Sequence, residues 1–399
     1  MSKKNNDFFK EKKAWSEVKD ELLGCYFRPY VQKILHTYKP LVYVDCFAGK
    51  GKFEDGKPGS PLIALDIINE CVMATSIPEV SISTNFIDLN YANDLKENLK
   101  DYPYANVHSG KYEDKIVEIL ENKSKCNVFL YIDPYGIKAL NCEMFDGFSK
   151  SGFNSIELLI NMNSFGFIRE ACHVMGTQFN DETLFDDLIE YDPTKLVASK
   201  ESIQELNIIA GGDYWQSIIN DYKENKINGY EAEIRFSDEY CKRLMKSYKY
   251  VLNLPLRIKR GQRPKYRLIH ATNHKDGCLL MVDNIYNRWQ ALRDIQNSGQ
   301  ISMFEENFDN ELLGSEDIEN QMISHFSKYK EWISLHELLA KFFVENGAIC
   351  STSTVKEIVK KWEKFGTIEV KRTPNTTIKG KPSSFMTEAK GKSIFVRWK

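Results

Sequence analysis

The sequence lacks the clusters of metal ligands that mark a zinc protein. Its nine cysteines stand singly without a C-x-x-C pair, and its seven histidines form neither H-E-x-x-H nor H-x-H. We therefore expect no metal site and reduced, mostly buried thiols, as is usual in the cytoplasm. No apolar run approaches the ~20 residues that span a bilayer, and the first residues contain no apolar segment of a secretory signal. These absences predict a cytoplasmic protein.

What the sequence does contain is an ordinary globular composition with an uneven distribution of charge. The 399 residues are 42% hydrophobic and 28% charged, which allows two or three domains with substantial cores. Residues 321–399 hold 15 basic and seven acidic side chains, whereas residues 1–320 hold 39 basic and 49 acidic ones. A basic module after an acidic body suggests contact with a polyanion. A lysine-rich surface that contacts only solvent is the alternative.

Strand and helix patterns alternate five times in the first half of the chain. Short apolar runs predict strands, and the stretches between them have apolar residues at helical spacing. The predicted strands cover residues 41–46, 80–88, 105–108, 128–133 and 155–162. Such alternation is typical of an α/β protein, a parallel sheet with helices on both faces. Because ligands bind outside the carboxyl ends of such strands, Asp45, Asp88 and Asp133 are expected at one functional edge.

The next part of the chain is predicted to complete this sheet. Residues 163–245 are expected to form a helical insertion, and two further strands at 248–258 and 265–272 are joined by a short turn. Strands joined by a tight turn must run antiparallel. Five parallel strands closed by such a hairpin predict the Rossmann-type, seven-stranded sheet of class I methyltransferases, in a domain of residues 1–295.

A second domain is predicted after an acidic linker. Residues 296–320 carry seven acids and no base, a composition typical of a linker. Three helical patterns and two basic, strand-like stretches then fill residues 321–399. Three helices and a hairpin are typical of a winged helix, a fold that contacts nucleic acid or docks to proteins.

The first motif with chemical content directly follows the first strand, in the order D-x-x-x-G-x-G. Asp45 is followed by Phe47 and Ala48, and then by Gly49 and Gly51, which let the backbone approach a ligand closely. A carboxylate in this loop suits an ammonium or ribose group better than a pyrophosphate, and the third glycine of a dinucleotide loop is absent. The pattern therefore favours S-adenosylmethionine, with a plain structural turn as the alternative.

The second motif is the aspartate that ends the next strand. Asp88 can accept hydrogen bonds from both hydroxyls of a ribose, as acids do at this place in dinucleotide folds. It lies further beyond Gly51 than the usual spacing, because a loop with Gly56 and Pro58 intervenes. The alternative is that Asp88 caps the helix that follows it.

The third motif, Asp133-Pro134-Tyr135-Gly136, ends the fourth strand. Enzymes that methylate exocyclic amino groups of bases carry [D/N]-P-P-[Y/F] at this position, and here the second proline is missing. A carboxylate can accept a hydrogen bond from the amino group, while an aromatic ring stacks on the base. We therefore predict Asp133, Pro134 and Tyr135 as the catalytic residues, with an ordinary turn as the alternative. The absence of a Pro-Cys dipeptide argues against cytosine C5 methylation.

Two basic segments are candidates for contact with nucleic acid. One is the turn of the predicted hairpin, and the other is the last helix of the basic module. The candidate residues are Arg257, Lys259, Arg260, Arg263, Lys265, Lys356, Lys360 and Lys361. A solvated turn and a protein-docking surface are the respective alternatives.

Four segments together resemble a known family, the three-Cys-motif partner proteins of bacteria and their phages. They are Lys19–Tyr26, Asp45–Leu62, Ile132–Gly136 and Ala271–Met281. The family is named for a radical-SAM-like partner that carries three cysteines, a cluster which this chain does not have. The resemblance implies a Rossmann-type methyltransferase fold and such a partner, and it covers about residues 19–290, so the basic tail lies outside it.

The leading hypothesis is a methyltransferase that transfers a methyl group from S-adenosylmethionine to an exocyclic amino group of a base in DNA or RNA. The competing hypothesis is a catalytically inactive subunit that binds S-adenosylmethionine or a nucleoside for the radical-SAM-like partner, for example in phage defence. A metal-dependent hydrolase on a similar sheet is a third reading, although nothing in the sequence selects it.

Overall fold

The computed structural model describes residues 6–75, 80–179, 199–257, 264, 266–297 and 314–399. The chain divides into two compact units, and the second contains His274–Lys399. The division therefore groups residues 275–295 with the second unit, whereas the sequence pattern placed them in the first. Within the described residues, no helix combines the length and the apolar character that crossing a membrane requires.

The first unit is built on seven strands. They are β1 Leu41–Asp45, β2 Ile82–Asp88, β3 Ala105–Ser109, β4 Asn127–Ile132, β5 Ser155–Met162, β6 Tyr250–Leu256 and β7 Tyr266–Thr272. The order in the sheet is β3-β2-β1-β4-β5-β7-β6. The first five strands pair in parallel, and β7 runs antiparallel to both of its neighbours. This mixed α/β, Rossmann-like sheet confirms the coarse fold that the sequence predicts.

Nine helices of the described residues flank this sheet. They are α1 Ala14–Leu35, α2 Ser60–Met73, α3 Ala92–Asn98, α4 Tyr112–Leu120, α5 Cys142–Ser149, α6 Ser164–Val174, α7 Lys200–Ala210, α8 Trp215–Lys223 and α9 Gly229–Leu244. A short 3₁₀ turn, Asn6–Phe9, precedes α1. The predicted bounds of the seven strands agree with the observed bounds within a few residues, because the apolar runs end at clear turn residues.

Helices cover both faces of the central strands, which is why β1 and β4 are buried at every position. On one face, the rings of Tyr43 and Phe129 pack against Phe27 of α1, with ring centroids 4.8 and 5.0 Å from it. On the other face, Val44 and Leu130 belong to the large apolar core. Alternation along each strand thus sends aromatic side chains to α1 and aliphatic side chains to the opposite layer.

The helices after β5 complete that opposite layer. Phe167 of α6 stacks on Phe236 of α9, with ring centroids 4.0 Å apart, and Trp215 of α8 contacts Phe167 edge-on. All three side chains are fully buried and belong to the same core as the sheet. The predicted insertion at 163–245 is therefore an integral part of the core, in its described parts, and residues 180–198 lie outside the described residues.

A buried polar network fixes α1 to two strands that lie far from it in sequence. The Tyr26 hydroxyl donates to the Glu157 carboxylate of β5 and lies 3.0 Å from Nε2 of His270 in β7. The same Nε2 is 3.2 Å from Glu157 Oε2. A buried carboxylate needs such partners, so this network specifies how α1, β5 and β7 meet.

The second unit combines helices with a small sheet. Its elements are α10 Lys275–Asn297, α11 Ser315–Phe326, β8 Ile333–Ser334, α12 Leu335–Asn346, α13 Thr352–Phe365, β9 Ile368–Thr373 and β10 Ser393–Trp398. The strands form an antiparallel sheet in the order β8-β10-β9. Asp283 of α10 accepts hydrogen bonds from the backbone N–H and the hydroxyl of Thr352, at 2.8 and 2.7 Å. These bonds fix the start of α13 against α10.

Candidate functional site

The loop that follows β1 is held together by a fully buried carboxylate. Asp45 Oδ2 accepts a hydrogen bond from the Ser60 hydroxyl at 2.6 Å, and Oδ1 accepts one from the Phe47 backbone N–H at 3.2 Å. Burial raises the pKa of Asp45 to about 7, although these two hydrogen bonds oppose the shift. Both oxygens thus have partners inside the protein, and Asp45 ties the loop to the first turn of α2.

Two glycines give this loop its path. Gly49 and Gly51 have φ values of +59° and +74°, which side chains other than glycine rarely adopt. A Cβ at Gly51 would lie 2.7 Å from Cδ1 of the buried Leu95, and the Gly51 carbonyl accepts the Gly59 N–H at 2.9 Å. Gly51 is therefore required both by conformation and by space, as the sequence motif indicates.

Asp88, at the end of β2, lies directly beside the glycine loop. Its Oδ2 accepts the Gly49 N–H at 3.0 Å, and its Oδ1 accepts the N–H groups of Asn90 and Tyr91 at 2.8 and 2.6 Å. Oδ1 thus closes a turn that precedes α3, whereas the N-cap of α3 is Tyr91 and has no side-chain hydrogen bond, so the capping role weighed from the sequence is not what the structure shows. Burial raises the pKa of Asp88, and the three N–H groups oppose the shift. A carboxylate offers about four acceptor positions, so one position on Asp88 remains for a ligand hydroxyl.

Asp133, at the end of β4, has a partner that the sequence motifs do not identify as functional. Lys19 of α1 donates to Asp133 Oδ1 at 2.8 Å, and Lys19 Nζ lies 4.3 Å from the centre of the Tyr266 ring. The Asp133 side chain is 27% exposed and the Lys19 side chain 12%. This carboxylate is therefore accessible at the edge of the sheet while a nearly buried cation holds it.

Aromatic rings from the 3₁₀ turn Asn6–Phe9 close over the same edge. Phe9 meets Tyr91 edge-on with ring centroids 4.9 Å apart, and a Cβ at Gly49 would lie 3.0 Å from the Phe9 ring. The ring of Phe8 lies 5.1 Å from that of Tyr135, which is half exposed. One turn thus contacts both the glycine loop and the aromatic residue of the third motif.

A second ion pair supports the start of α1. Lys12 Nζ lies 2.6 Å from Asp20 Oδ2 and also donates to the Pro58 carbonyl at 2.7 Å. Burial raises the pKa of Asp20 to about 6, and Lys12 opposes the shift. Lys12, Lys19 and Asp20 bring charge to this edge from outside the sheet. No sequence signal singles them out, because α1 carries several other charged residues, among them Glu17, Glu21 and Arg28.

Of the basic residues predicted for the hairpin turn, the structure describes Arg257. Arg257 is buried, at 8% exposure. Lys259, Arg260, Arg263 and Lys265 lie outside the described residues. The neighbouring Arg267 is also buried and forms an ion pair with Glu233 at 2.7 Å. The described arginines around this turn therefore point to structural roles.

The three lysines predicted on α13 lie in different surroundings. Lys360 is exposed, whereas Lys361 is exposed but forms an ion pair with Glu319 at 3.1 Å. Lys356 is half buried, and its Nζ donates to the Thr387 hydroxyl at 3.4 Å. Of the three, Lys360 is the one best placed to meet a partner.

Known proteins offer no further guidance to this site. A scan of the chain against models of protein families finds no match, and no curated protein matches it either. Among the described residues, no group of three or more His, Cys, Asp and Glu side chains is arranged to hold a metal ion. The function of this edge must therefore be argued from its own residues and their geometry.

Proposed function

We propose that the first unit binds S-adenosylmethionine at the carboxyl edge of its sheet and transfers the methyl group to an exocyclic amino group of a base in DNA or RNA. The observation that carries this proposal is the gathering of three motifs at one edge of a seven-stranded sheet with a reversed β7. They are the glycine loop after β1, Asp88 after β2 and Asp133-Pro134-Tyr135 after β4. This strand order is that of the class I methyltransferase sheet expected from the sequence.

The residues of the glycine loop fit such a cofactor. Phe9 and Leu95 pack where side chains would stand at Gly49 and Gly51, so what this region offers a cofactor is the one acceptor position that Asp88 retains for a ribose hydroxyl. Asp45 would support the loop and not contact the cofactor itself, because both of its carboxylate oxygens already accept hydrogen bonds from Phe47 and Ser60. Phe47 and Ala48 complete the turn: Phe47 packs on the core, and the Ala48 N–H binds the Ile87 carbonyl at 3.0 Å.

The chemistry at Asp133 follows from its ion pair. The bound cofactor supplies an electrophilic methyl group on a sulfonium centre. Asp133 accepts a hydrogen bond from the amino group of the base, and this bond directs the nitrogen lone pair towards the methyl carbon. Tyr135 stacks on the ring of the base. Lys19 keeps Asp133 oriented through its hydrogen bond to Oδ1. The geometry therefore adds Lys19 to the predicted residues, as a positioning residue.

Cofactor binding is the first test. Calorimetric titration of the full chain with S-adenosylmethionine, and separately with S-adenosylhomocysteine, should show micromolar binding that Asp88→Ala weakens by about tenfold or more. Asp101→Ala, which changes an exposed aspartate of the same unit, should leave the Kd unchanged. If wild-type protein binds neither compound, the proposal fails at this step.

Methyl transfer is the second test, with labelled S-adenosylmethionine and DNA or RNA as acceptors. Asp133→Ala should keep cofactor affinity within about twofold and lower kcat by about 100-fold or more, because no side-chain acceptor orients the amino group. Lys19→Met should lower kcat less, because Asp133 loses the hydrogen bond that orients it but keeps its own acceptor oxygens. Equal loss of binding and transfer in Asp133→Ala would assign Asp133 to the cofactor instead.

The ion pair also favours a second candidate, a subunit that binds the cofactor or a nucleoside without transferring a methyl group. Lys19 already occupies one oxygen of Asp133, so a carboxylate of this kind can serve structure alone. This candidate predicts cofactor binding without transfer to any nucleic acid, together with co-purification of a radical-SAM-like protein with three cysteines. Transfer by the chain alone would exclude it.

For the second unit we propose a winged helix that contacts nucleic acid. Three helices and a small antiparallel sheet support this assignment, together with the excess of 15 basic over seven acidic residues in 321–399. Lys360 on α13 is exposed and lies on the helix that would face the nucleic acid in such a fold. A unit of this charge would bring the acceptor to the first unit by electrostatic attraction.

A further inference from the structure

The connection between β9 and β10 presents an apolar side chain to solvent in an unusual way. This connection, residues 374–392, is named the arm here. At its end, the Gly380 N–H binds the Thr377 carbonyl, and the Thr377 N–H binds the Lys381 carbonyl, both at 2.8 Å. Between them, Ile378 is fully exposed. Because the turn is closed by its own hydrogen bonds, the isoleucine projects from a defined tip.

The arm carries positive charge around this tip. Its basic residues are Lys379, Lys381, Lys390 and Lys392, and Glu388 is its only acidic residue. Glu388 is already engaged, since its Oε1 accepts the Ser334 hydroxyl at 2.8 Å and its carboxylate pairs with Lys275. Lys379 and Lys381, which flank the tip, are both exposed. The outer part of the arm is thus an isoleucine between two lysines.

The base of the arm lies alongside α13. Lys356 of α13 donates to Thr387 in the arm at 3.4 Å, and Arg372 of β9 donates to the Phe385 carbonyl at 2.9 Å. Arg372 also pairs with Glu363 of α13 through two bonds of 2.6 Å. The base of the arm is therefore fixed to the helix that carries Lys360.

We propose that the arm inserts Ile378 between or against the base pairs of duplex nucleic acid while Lys379 and Lys381 contact the phosphates on either side. An apolar side chain that inserts between two base pairs must first separate their stacked faces, which costs free energy. The attraction between flanking lysines and the phosphates offsets this cost. The proposal rests on the proposed function in one respect, namely that nucleic acid is the substrate. It adds that the bound form is a distorted duplex.

The test uses the full chain and a short DNA or RNA duplex with 2-aminopurine placed at successive positions. Wild-type protein should raise the fluorescence at one or two adjacent positions, because unstacking relieves quenching. Ile378→Ser should abolish that rise and weaken binding by about five- to tenfold. Lys379→Ala with Lys381→Ala should lower the slope of log K against log salt by about 2, since two phosphate contacts are lost.

Matched variants separate a wedge from a general loss of apolar surface. Met73→Ser in the first unit and Phe365→Ser at the end of α13 remove other exposed apolar side chains. Both should retain the fluorescence rise, and circular dichroism should show that all variants keep wild-type helix content. An equal rise in wild-type and Ile378→Ser protein would overturn the wedge while leaving the proposed methyl transfer standing.

Two further outcomes would also decide against the wedge. Transfer to single strands without any binding of duplex would preserve the proposed function and refute the bound form inferred here. Binding to vesicles with anionic lipid that depends on Ile378, together with no binding of duplex, would assign the tip to a membrane surface. Failure of both methyl transfer and nucleic-acid binding would instead refute the premise that both proposals share, namely that the protein acts on nucleic acid.

Discussion

Asp45 and Asp133 end neighbouring parallel strands, yet the protein treats them in opposite ways. Asp45 is fully buried, and each of its oxygens accepts a hydrogen bond from the loop or from α2. Asp133 is partly exposed, and its partner is a lysine from a helix 114 positions earlier in the chain. Equal placement at the strand ends thus does not give equal roles. One carboxylate builds the site, and the other is available to act in it.

The difference follows from what lies behind each strand end. The chain after β1 turns sharply into a glycine loop that must be fixed to α2, and a buried carboxylate with two donors can do this. The chain after β4 continues into Pro134 and Tyr135, and the partner of Asp133 is Lys19 of α1. The carboxylate of Asp133 is 27% exposed, so it keeps a face towards solvent.

The largest expected effect is on the free energy of unfolding, and it comes from the glycine loop that Asp45 ties to α2. Gly51→Ala should lower the free energy of unfolding by about 3 kcal/mol, from a left-handed backbone and a close contact with Leu95. Gly56→Ala is the control, because Gly56 also has a positive φ but open space around it; it should cost about 1 kcal/mol. Urea unfolding at neutral pH measures both, and equal losses would show that the Leu95 contact relaxes freely.

The next effect is the pH dependence that buried Asp45 imposes. The folded protein holds its proton up to about pH 7, whereas the unfolded chain releases it near the ordinary value of 3.8. Stability from this group is therefore lost as pH rises from about 4 to about 7, since only the native state still binds the proton. Asp45→Asn should gain about 2 kcal/mol over wild type between pH 5 and pH 8.

The matched control for this prediction is Asp101→Asn, because Asp101 is exposed. Its stability relative to wild type should not change over the same pH range. Asp20, whose pKa burial raises to about 6, contributes in the same direction, so Asp45→Asn should reduce the slope without removing it. A flat difference between Asp45→Asn and wild type would show that Asp45 is ionised throughout.

The smallest of these effects on stability tests the ion pair between Lys19 and Asp133. Lys19→Met should lower the free energy of unfolding by about 1 kcal/mol, because a partly buried carboxylate loses its cation but can still meet water. Lys57→Met breaks the exposed pair with Glu17 of the same helix and should give no measurable change. A large loss of unfolding free energy in Lys19→Met would show that Asp133, like Asp45, has a structural role, and the two carboxylates would then not differ.

The sequence predicts the elements of the fold well because their signals are local. Strand Ser155–Met162 has the predicted bounds, since its apolar run lies within the segment itself. The two-residue strand Ile333–Ser334 escapes prediction because it is too short to show a period. Similarly, the aromatic core of α6, α8 and α9 is visible only once the helices pack together.

Partners of the site residues could be predicted only where they lie close in sequence. The hydrogen bonds from the N–H groups of Asn90 and Tyr91 to Asp88 are of this local kind, since an aspartate commonly accepts from the backbone two or three residues later, although the N-cap of α3 is Tyr91 and not Asp88. The hydrogen bond from Gly49 to Asp88 and the ion pair from Lys19 to Asp133 join segments 39 and 114 positions apart. No local pattern encodes such pairs, since tertiary packing alone brings the two groups together.

The position of β7 between β5 and β6 has a consequence for how this chain folds during its synthesis on the ribosome. Glu157 and Thr272, which meet across β5 and β7, are 115 positions apart, whereas β6 and β7 are neighbours in sequence. During translation, β5 therefore leaves the ribosome long before its outer partner exists, with an apolar edge open to other chains. Growth conditions that slow synthesis across residues 163–265 should raise aggregation of the nascent protein, because that edge then waits longest for the hairpin that closes it.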